Sequence, residues 1–586
     1  MNRRRPLIAA AAATAAIMVI AACSSSKKKT EGTGTNPAPS TSASSSAGAG
    51  IGPPIINGGY TTKGGTVNLL QQADFDHLDP VQNYVTNSGD VGKLIYRTLT
   101  VIKDTPGETP SIQPDLAESL GVASDGGKTW TYKIKHGLKF QDGSPITAKD
   151  IKYNIERQFA QDIYKDGATY PTDTLVNSNN YKGPYKDPNK DLTSVQTPDD
   201  YTIVFHFTGA QPDSDWMWSL FYSAPVPKAK DTKQDYDHEV VSSGPYMIQK
   251  YTPDKQLILV RNPNWDPATD PNRPALPDKF VITMNIAPET ISQRLIANQG
   301  DDQTALSIDN SSDLQAGDLA KLRQPDVKSR FVNGAGPCVF YLYLNELKIK
   351  DADVRHAIAL AINRQAVITA MNGALFGSIP QSFMPANVRG FVPANLGLKD
   401  TGDTAAAQAL LQGKDFPKTL DYSVSAGRPV QHAVGVQVQS DLKKIGITVN
   451  LKSIPTKGYY PSLRTDPGPA AMGMAGWCSD WPTQASVVPP ILGADSSMKT
   501  WSTNNFSKYF DPTTAKQISD LAGSTAPPAT LDKQFADLAN QIQTTNWPLI
   551  PVQASLNPTL VGSKIRNAGV SSIWSLPDLN TIGVAP

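Results

Sequence analysis

The sequence predicts an α/β protein. Three observations carry this: stretches that alternate apolar and polar residues, stretches with apolar residues three or four apart, and a helix, a glycine stop and a strand in tight succession between Val434 and Leu451. A first strand is predicted at Gly65–Gln71. A second runs over Thr129–Lys135, with Trp130, Tyr132 and Ile134 on one face. Thr147 and Asp150 have capping-box spacing, and the helix they open puts Ile151, Ile155 and Phe159 on one stripe. Tyr201–Phe207, Gln256–Arg261, Phe280–Ile286 and Val339–Asn345 read as further strands. Asp351 or Asp353 caps the next helix, whose buried stripe is Val354, Ile358, Ala361 and Ile362. Asp403–Gln412 is a helix stopped by Gly413. Val434, Val438, Leu442 and Ile445 form a stripe stopped by Gly446, with Lys443 and Lys444 in the last turn, where cations suit the helix dipole. The strand Ile447–Leu451 follows at once, and Leu531, Phe535, Leu538 and Ile542 mark one more amphipathic helix.

The N-terminus points to export. Arg3, Arg4 and Arg5 precede an uncharged apolar run from Leu7 to Ala22, too short for the roughly 20 residues of a spanning helix. Residues 1–22 therefore read as a signal peptide. Ile20-Ala21-Ala22-Cys23 resembles the bacterial lipobox, which implies cleavage before Cys23 and acylation of its thiol. Residues 23–59 are rich in Ser, Thr, Gly, Ala and Pro and are expected to be a disordered tether. Lys27, Lys28 and Lys29 within it sit at anionic headgroups or form a solvated run.

Residues 60–586 are globular in composition and too long for one core, so two or three domains are expected. Of the whole chain 39% is hydrophobic and 18% charged, and the net charge of +1 lacks the basic footprint of a nucleic-acid binder. With Cys23 assigned to the lipid, Cys338 and Cys478 remain. In an oxidising compartment they form a disulfide or stay two separate buried thiols. No P-loop, His-Glu-x-x-His or Gly-x-Ser-x-Gly pattern occurs, and the six histidines are scattered singly. Asp74 and Asp76 share part of a calcium-loop pattern but lack its glycine and terminal glutamate. The lack of these motifs argues against an enzyme, a resident metal or a cofactor, with a secreted hydrolase of dispersed residues as the competing reading; the residues alone do not fix a function.

Several motifs then resemble one family. The densest stretch runs from Pro114-Asp115-Leu116-Ala117-Glu118 through Trp130 to Gly137-Leu138-Lys139-Phe140-Gln141-Asp142-Gly143-Ser144-Pro145-Ile146-Thr147-Ala148-Lys149-Asp150. Leu78-Asp79-Pro80, Ser243-Gly244-Pro245-Tyr246, Arg261-Asn262-Pro263, Val354-Arg355-His356-Ala357-Ile358 and Gly476-Trp477-Cys478-Ser479-Asp480-Trp481 add to it. Together these resemble the extracytoplasmic solute-binding proteins of ABC importers, in the oligopeptide- and dipeptide-binding class. The resemblance implies a two-lobed, hinged fold of the periplasmic-binding type with an extra small domain. It places domain I at 60–104, 226–334 and 552–586, domain II at 105–225 and domain III at 335–551.

The resemblance also implies a site. Asp480 takes the position that pairs with a ligand's α-ammonium, and Gly476 and Cys478 the positions whose backbone pairs with the ligand's main chain. Spacing from Pro80 puts Tyr84, Val85 and Thr86 at the other edge of the cleft; Tyr84 replaces an acidic residue of some members. Trp477 stacks on the ligand or belongs to the core. Met474 stands where a known oligopeptide binder has arginine. Cys338, just before the first strand of domain III, is implied to pair with Cys478. The function implied is capture of short peptides by a membrane-anchored monomer that serves ABC permease subunits. Other members of the class bind nickel chelates, haem, oligosaccharides or opines, and a sensory role is the further alternative.

Overall fold

The computed structural model describes residues 55–586 except 107, 310–313, 496–499 and 503. Residues 1–22, read as a signal peptide, Cys23 and the lysine cluster lie outside the described residues. Ile55 and Ile56, placed in the tether by composition, instead form a short strand that pairs with Ala568–Gly569. Burial of Ile56 and a hydrogen bond from Asn57 Nδ2 to Ile565 O (3.2 Å) fix that segment to the body.

Three sheets organise the chain. The first has five strands in the order Ala305–Ser307, Thr66–Leu70, Lys279–Thr283, Gln256–Arg261 and Tyr246–Thr252. Its first three strands run parallel and the others antiparallel. The second is an antiparallel sheet of Val122–Ser124, Thr129–Lys133, Thr202–His206 and Val195–Asp199. One apolar cluster spans both: Val67, Leu69, Leu257 and Phe280 lie in it with Trp130, Tyr132, Ile203 and Phe205. The third sheet has the order Gly377–Ser378, Leu549–Leu560, Phe331–Leu344, Met472–Cys478, Thr419–Ser425 and Thr448–Ile454. Separate clusters cover its two faces. Leu342, Val354, Val438 and Tyr422 lie in one, Tyr341, Phe535 and Ile542 in the other. These cores define two lobes.

The paired strands Phe331–Leu344 and Leu549–Leu560 cross between the lobes. At one end Phe331 and Leu560 pack with Leu70 and Leu295; at the other Leu342 and Ile550 join the third sheet's core. Their register breaks between Ala335 and Val339. Fewer ladder hydrogen bonds resist bending at such a break than elsewhere along the pair. The sequence gives this strand only from Val339, because Asn333-Gly334-Ala335-Gly336 has turn composition; pairing with Leu556–Leu560 carries the backbone through it.

Local signals hold elsewhere. The helix Ala148–Gln158 is capped by the reciprocal Thr147/Asp150 box. The helix Ala352–Ala361 is capped by Asp351, whose carboxylate accepts from Asp353 N at 2.8 Å, so Asp351 and not Asp353 is the cap. Asp403 caps Thr404–Leu411. The strand expected to reach Ile286 ends at Thr283, and Asn285 turns into the left-handed region at φ 57°. Among the described residues no helix is long and apolar enough to cross a membrane.

Candidate functional site

The Leu78-Asp79-Pro80 motif builds one side of the candidate site. Asp79 is fully buried and accepts from Arg157 Nη1 at 2.8 Å and Nη2 at 2.5 Å, while Val81 N donates to it at 3.1 Å. Arg157 is also fully buried and lies 3.3 Å from a second buried carboxylate, Asp231, so removing Arg157 would strand Asp79. Backbone N–H groups of Gln82 and Asn83 donate to Asp79 O, closing a turn that presents Tyr84 and Val85 to solvent at 42% and 45% exposure. Val85 is extended, with φ −78° and ψ 142°. Thr86 is not part of an extended edge, because it begins the helix Thr86–Ile95.

The opposite wall is the strand Met472–Cys478. Cys338 and Cys478 are bonded, with sulfurs 2.05 Å and Cα atoms 3.9 Å apart, and they sit directly opposite each other in the ladder. So close a pair is a non-hydrogen-bonded one, and the neighbouring bond from Ser479 N to Pro337 O (3.1 Å) sets the same alternation. Backbone groups of residues 475, 477 and 479 therefore face the strand beginning at Phe331. Those of Met474, Gly476 and Cys478 face the other edge. On that edge the parallel partner Thr419–Ser425 pairs only with Met472 and Gly473. Met474 O is taken by Tyr459 OH at 2.7 Å, which leaves Gly476 and Cys478 as the segment able to receive an added strand.

Asp480 stands at the end of this edge, half-buried. Tyr84 donates its hydroxyl to Asp480 Oδ1 and Tyr170 to Asp480 Oδ2. Loss of solvent around it is the largest influence on Asp480 and pushes its carboxyl above the usual range, against the pull of the two phenol hydrogen bonds. Loss of solvent around the phenol groups, where they meet Asp480, and the Asp480 charge together push both up, so they remain protonated donors. Tyr170 comes from the short helix Tyr170–Thr174 of the first lobe, and its ring lies 4.9 Å from that of Trp481.

Of the remaining predicted residues, Trp477 donates Nε1 to Ser486 O at 2.9 Å and packs against the second lobe's core. The Met474 side chain is 5% exposed and sits in the core on the opposite face of the sheet. Sequence reasoning missed Tyr170, which lies in a stretch without clear periodicity. It also missed Asp213, which accepts from Trp481 Nε1 at 2.9 Å and Thr483 Oγ1 at 2.5 Å. In sequence Asp213 resembles an ordinary helix cap before Ser214–Met217, yet its carboxylate makes no cap bond. Among the described residues no cluster of three or more His, Cys, Asp or Glu is placed to hold a metal.

Residues 111–499 match the bacterial extracellular solute-binding proteins, family 5. The probable D,D-dipeptide-binding periplasmic protein DdpA of Escherichia coli (strain K12) is 29% identical over 402 residues, covering 65% of this chain and 69% of that protein. The periplasmic oligopeptide-binding protein OppA of Salmonella typhimurium is 24% identical over 507 residues, covering 83% and 87%. Among solved structures, clavulanic acid biosynthesis oligopeptide binding protein 2 superimposes with a TM-score of 0.80 at 28% identity, covering 91% of this chain and 97% of that one.

Proposed function

This chain belongs to the family 5 bacterial extracellular solute-binding proteins, and on that premise we propose that it captures short peptides with a free α-ammonium in the cleft between its lobes. The observation that carries the reading is Asp480. A desolvated carboxylate, bridged by two phenol hydroxyls, ends a strand edge that is open at Gly476 and Cys478. An ammonium entering there meets a partly desolvated carboxylate as its charge partner. A peptide backbone beside Gly476 and Cys478 gains main-chain hydrogen bonds whatever its side chains are. Tyr84 and Tyr170 give the ammonium further oxygen acceptors, and Val85 closes the opposite edge. The relatives named for dipeptides and oligopeptides support the same ligand class. The proposal extends to the domain limits 60–104, 226–334 and 552–586, 105–225, and 335–551; to a lipid on Cys23 after removal of residues 1–22; and to delivery of the peptide to an ABC permease. Capture of this kind needs no covalent step.

The test is thermal melting of the protein with two matched pools of random di- to hexapeptides, one with free amines and one N-acetylated. Ligand at 100 times its Kd adds about 2.7 kcal/mol of stability. A shift with the free-amine pool alone, lost in Asp480→Ala, is the expected result. Equal shifts with both pools would remove the ammonium from the reading, and no shift with either would remove the peptide.

A further inference from the structure

We propose that Trp481 is a positioning residue: its indole held by Asp213, to which Thr483 also donates, it latches the lobes together without ligand and so holds Asp480 against Tyr84 and Tyr170. Trp481 belongs to the second lobe by sequence, yet it lies in the apolar cluster of the first, at 6% exposure. Among the described residues of 345–548 it is the single member of that cluster. Its indole meets the Tyr170 ring, and its N–H reaches the Asp213 carboxylate. Thr483 donates to the same carboxylate oxygen.

The turn that carries it is braced from its own lobe. Ser486 Oγ donates to Trp481 O at 2.6 Å and Thr483 O at 2.9 Å, and Arg389 N donates to Pro482 O at 2.8 Å. Opening the lobes must therefore draw a buried indole out of the first lobe and strip Asp213 of both donors. Asp213 has no capping bond to fall back on, and its surroundings already push its carboxyl up through loss of solvent, so its cross-lobe donors matter to it.

A latch made of protein contacts alone biases the ligand-free protein toward closure. Ligand affinity scales with the fraction of molecules in the binding-competent state, so the latch sets affinity and release as well. That second consequence rests on the peptide-cleft reading; closure itself does not.

The experiment uses the full chain carrying Cys23→Ser, in which Cys338 and Cys478 are already bonded. Spin labels go on Val122→Cys and Val436→Cys, which are exposed residues of the first and second lobe at 66% and 47%. Inter-lobe distances are read by double electron–electron resonance without ligand. Trp481→Phe keeps a ring and loses the donor; Thr483→Val and Asp213→Ala remove the other two members. Removing a hydrogen bond to a charged group should lower the closed-to-open ratio about tenfold. With the free-amine peptide pool, release should quicken by a similar factor while association changes little. Far-UV circular dichroism matching the parent and a cooperative melting transition show that each variant is folded. Folded Asp213→Ala and Trp481→Phe proteins with the parent's distance distribution would overturn the latch. A shifted distribution in a protein that binds no peptide would uphold it and reject the ligand reading.

Discussion

Asp480→Asn should act in opposite directions on ligand binding and on the stability of the empty protein. The amide has the carboxylate's shape. Its oxygen can accept from one phenol, and its nitrogen can donate to the other, which then turns its own proton to solvent. Binding loses the charge that an ammonium requires. Truncating one side of a buried charge pair costs about 2–5 kcal/mol. Because Asp480 is half-buried and the amide keeps a dipole in place, the lower part of that range applies, about 2–3 kcal/mol, or roughly 30–150-fold in Kd. Stability follows from proton linkage. The folded carboxyl lies above its unfolded value, chiefly through loss of solvent. In the window between the two values the folded state holds more protons than the unfolded one, so stability falls as pH rises through it. Above that window the parent carries a desolvated charge that the variant lacks. At neutral pH the empty variant should therefore melt at or above the parent, and its melting should lose the part of the pH dependence owed to residue 480. Calorimetric titration with a free-amine tripeptide and its N-acetylated form, beside melting curves from pH 4 to 8, reads both effects. Peptide affinity should also rise with pH in the parent as Asp480 ionises. An Asn variant that binds free-amine peptide within threefold of the parent, or melts well below it at pH 7, would refute this account.

Three further outcomes are expected. Replacing Cys338 and Cys478 by Ser frees a loop with a sequence separation of 140 residues and should lower stability by at most about 4–5 kcal/mol in urea titrations, with reductant producing the same loss in the parent. Arg157→Met leaves Asp79 buried and unpaired and takes the cation 3.3 Å away from Asp231, and should destabilise by about 3–5 kcal/mol; adding Asp79→Leu should recover part of it, Asp231 keeping the Tyr153 and Tyr185 hydroxyls as donors, as read by chemical denaturation. His77 is held above its usual value mainly by the hydrogen bond to Asp237, at 2.7 Å, against partial burial. The stabilisation this provides is fully present below pH 6.5 and is lost as pH rises through the raised folded value, so His77→Asn should flatten the melting temperature above pH 6.5.

The helices and strands were legible where the residues that make them are neighbours. Thr147 with Asp150, Asp403 before Thr404–Leu411, and the Trp130/Tyr132 face act over three or four positions, and the chain reads them locally. The long strand from Phe331 was half legible, because its first residues are extended only by virtue of a partner more than two hundred positions away. The cleft divided in the same way. Asp480, Gly476 and Cys478 came from a motif, whereas the sequence left Trp477 between ligand and core, and the structure packs it, partly buried, against the second lobe's core.

The sequence by itself determined the α/β class, most of the caps and the faces of most elements; its resemblance pointed to the family and implied the pairing of Cys338 with Cys478 that the structure shows. Tertiary structure alone decided that Tyr170 and Tyr84 meet on one carboxylate and that Trp481 crosses into the other lobe's core. Tyr170 and Asp480 are separated by 310 residues, and Asp213 and Trp481 by 268. No local periodicity or cap encodes such contacts. They arise because two lobes with separate cores, joined by crossing strands, must bury what faces the gap between them.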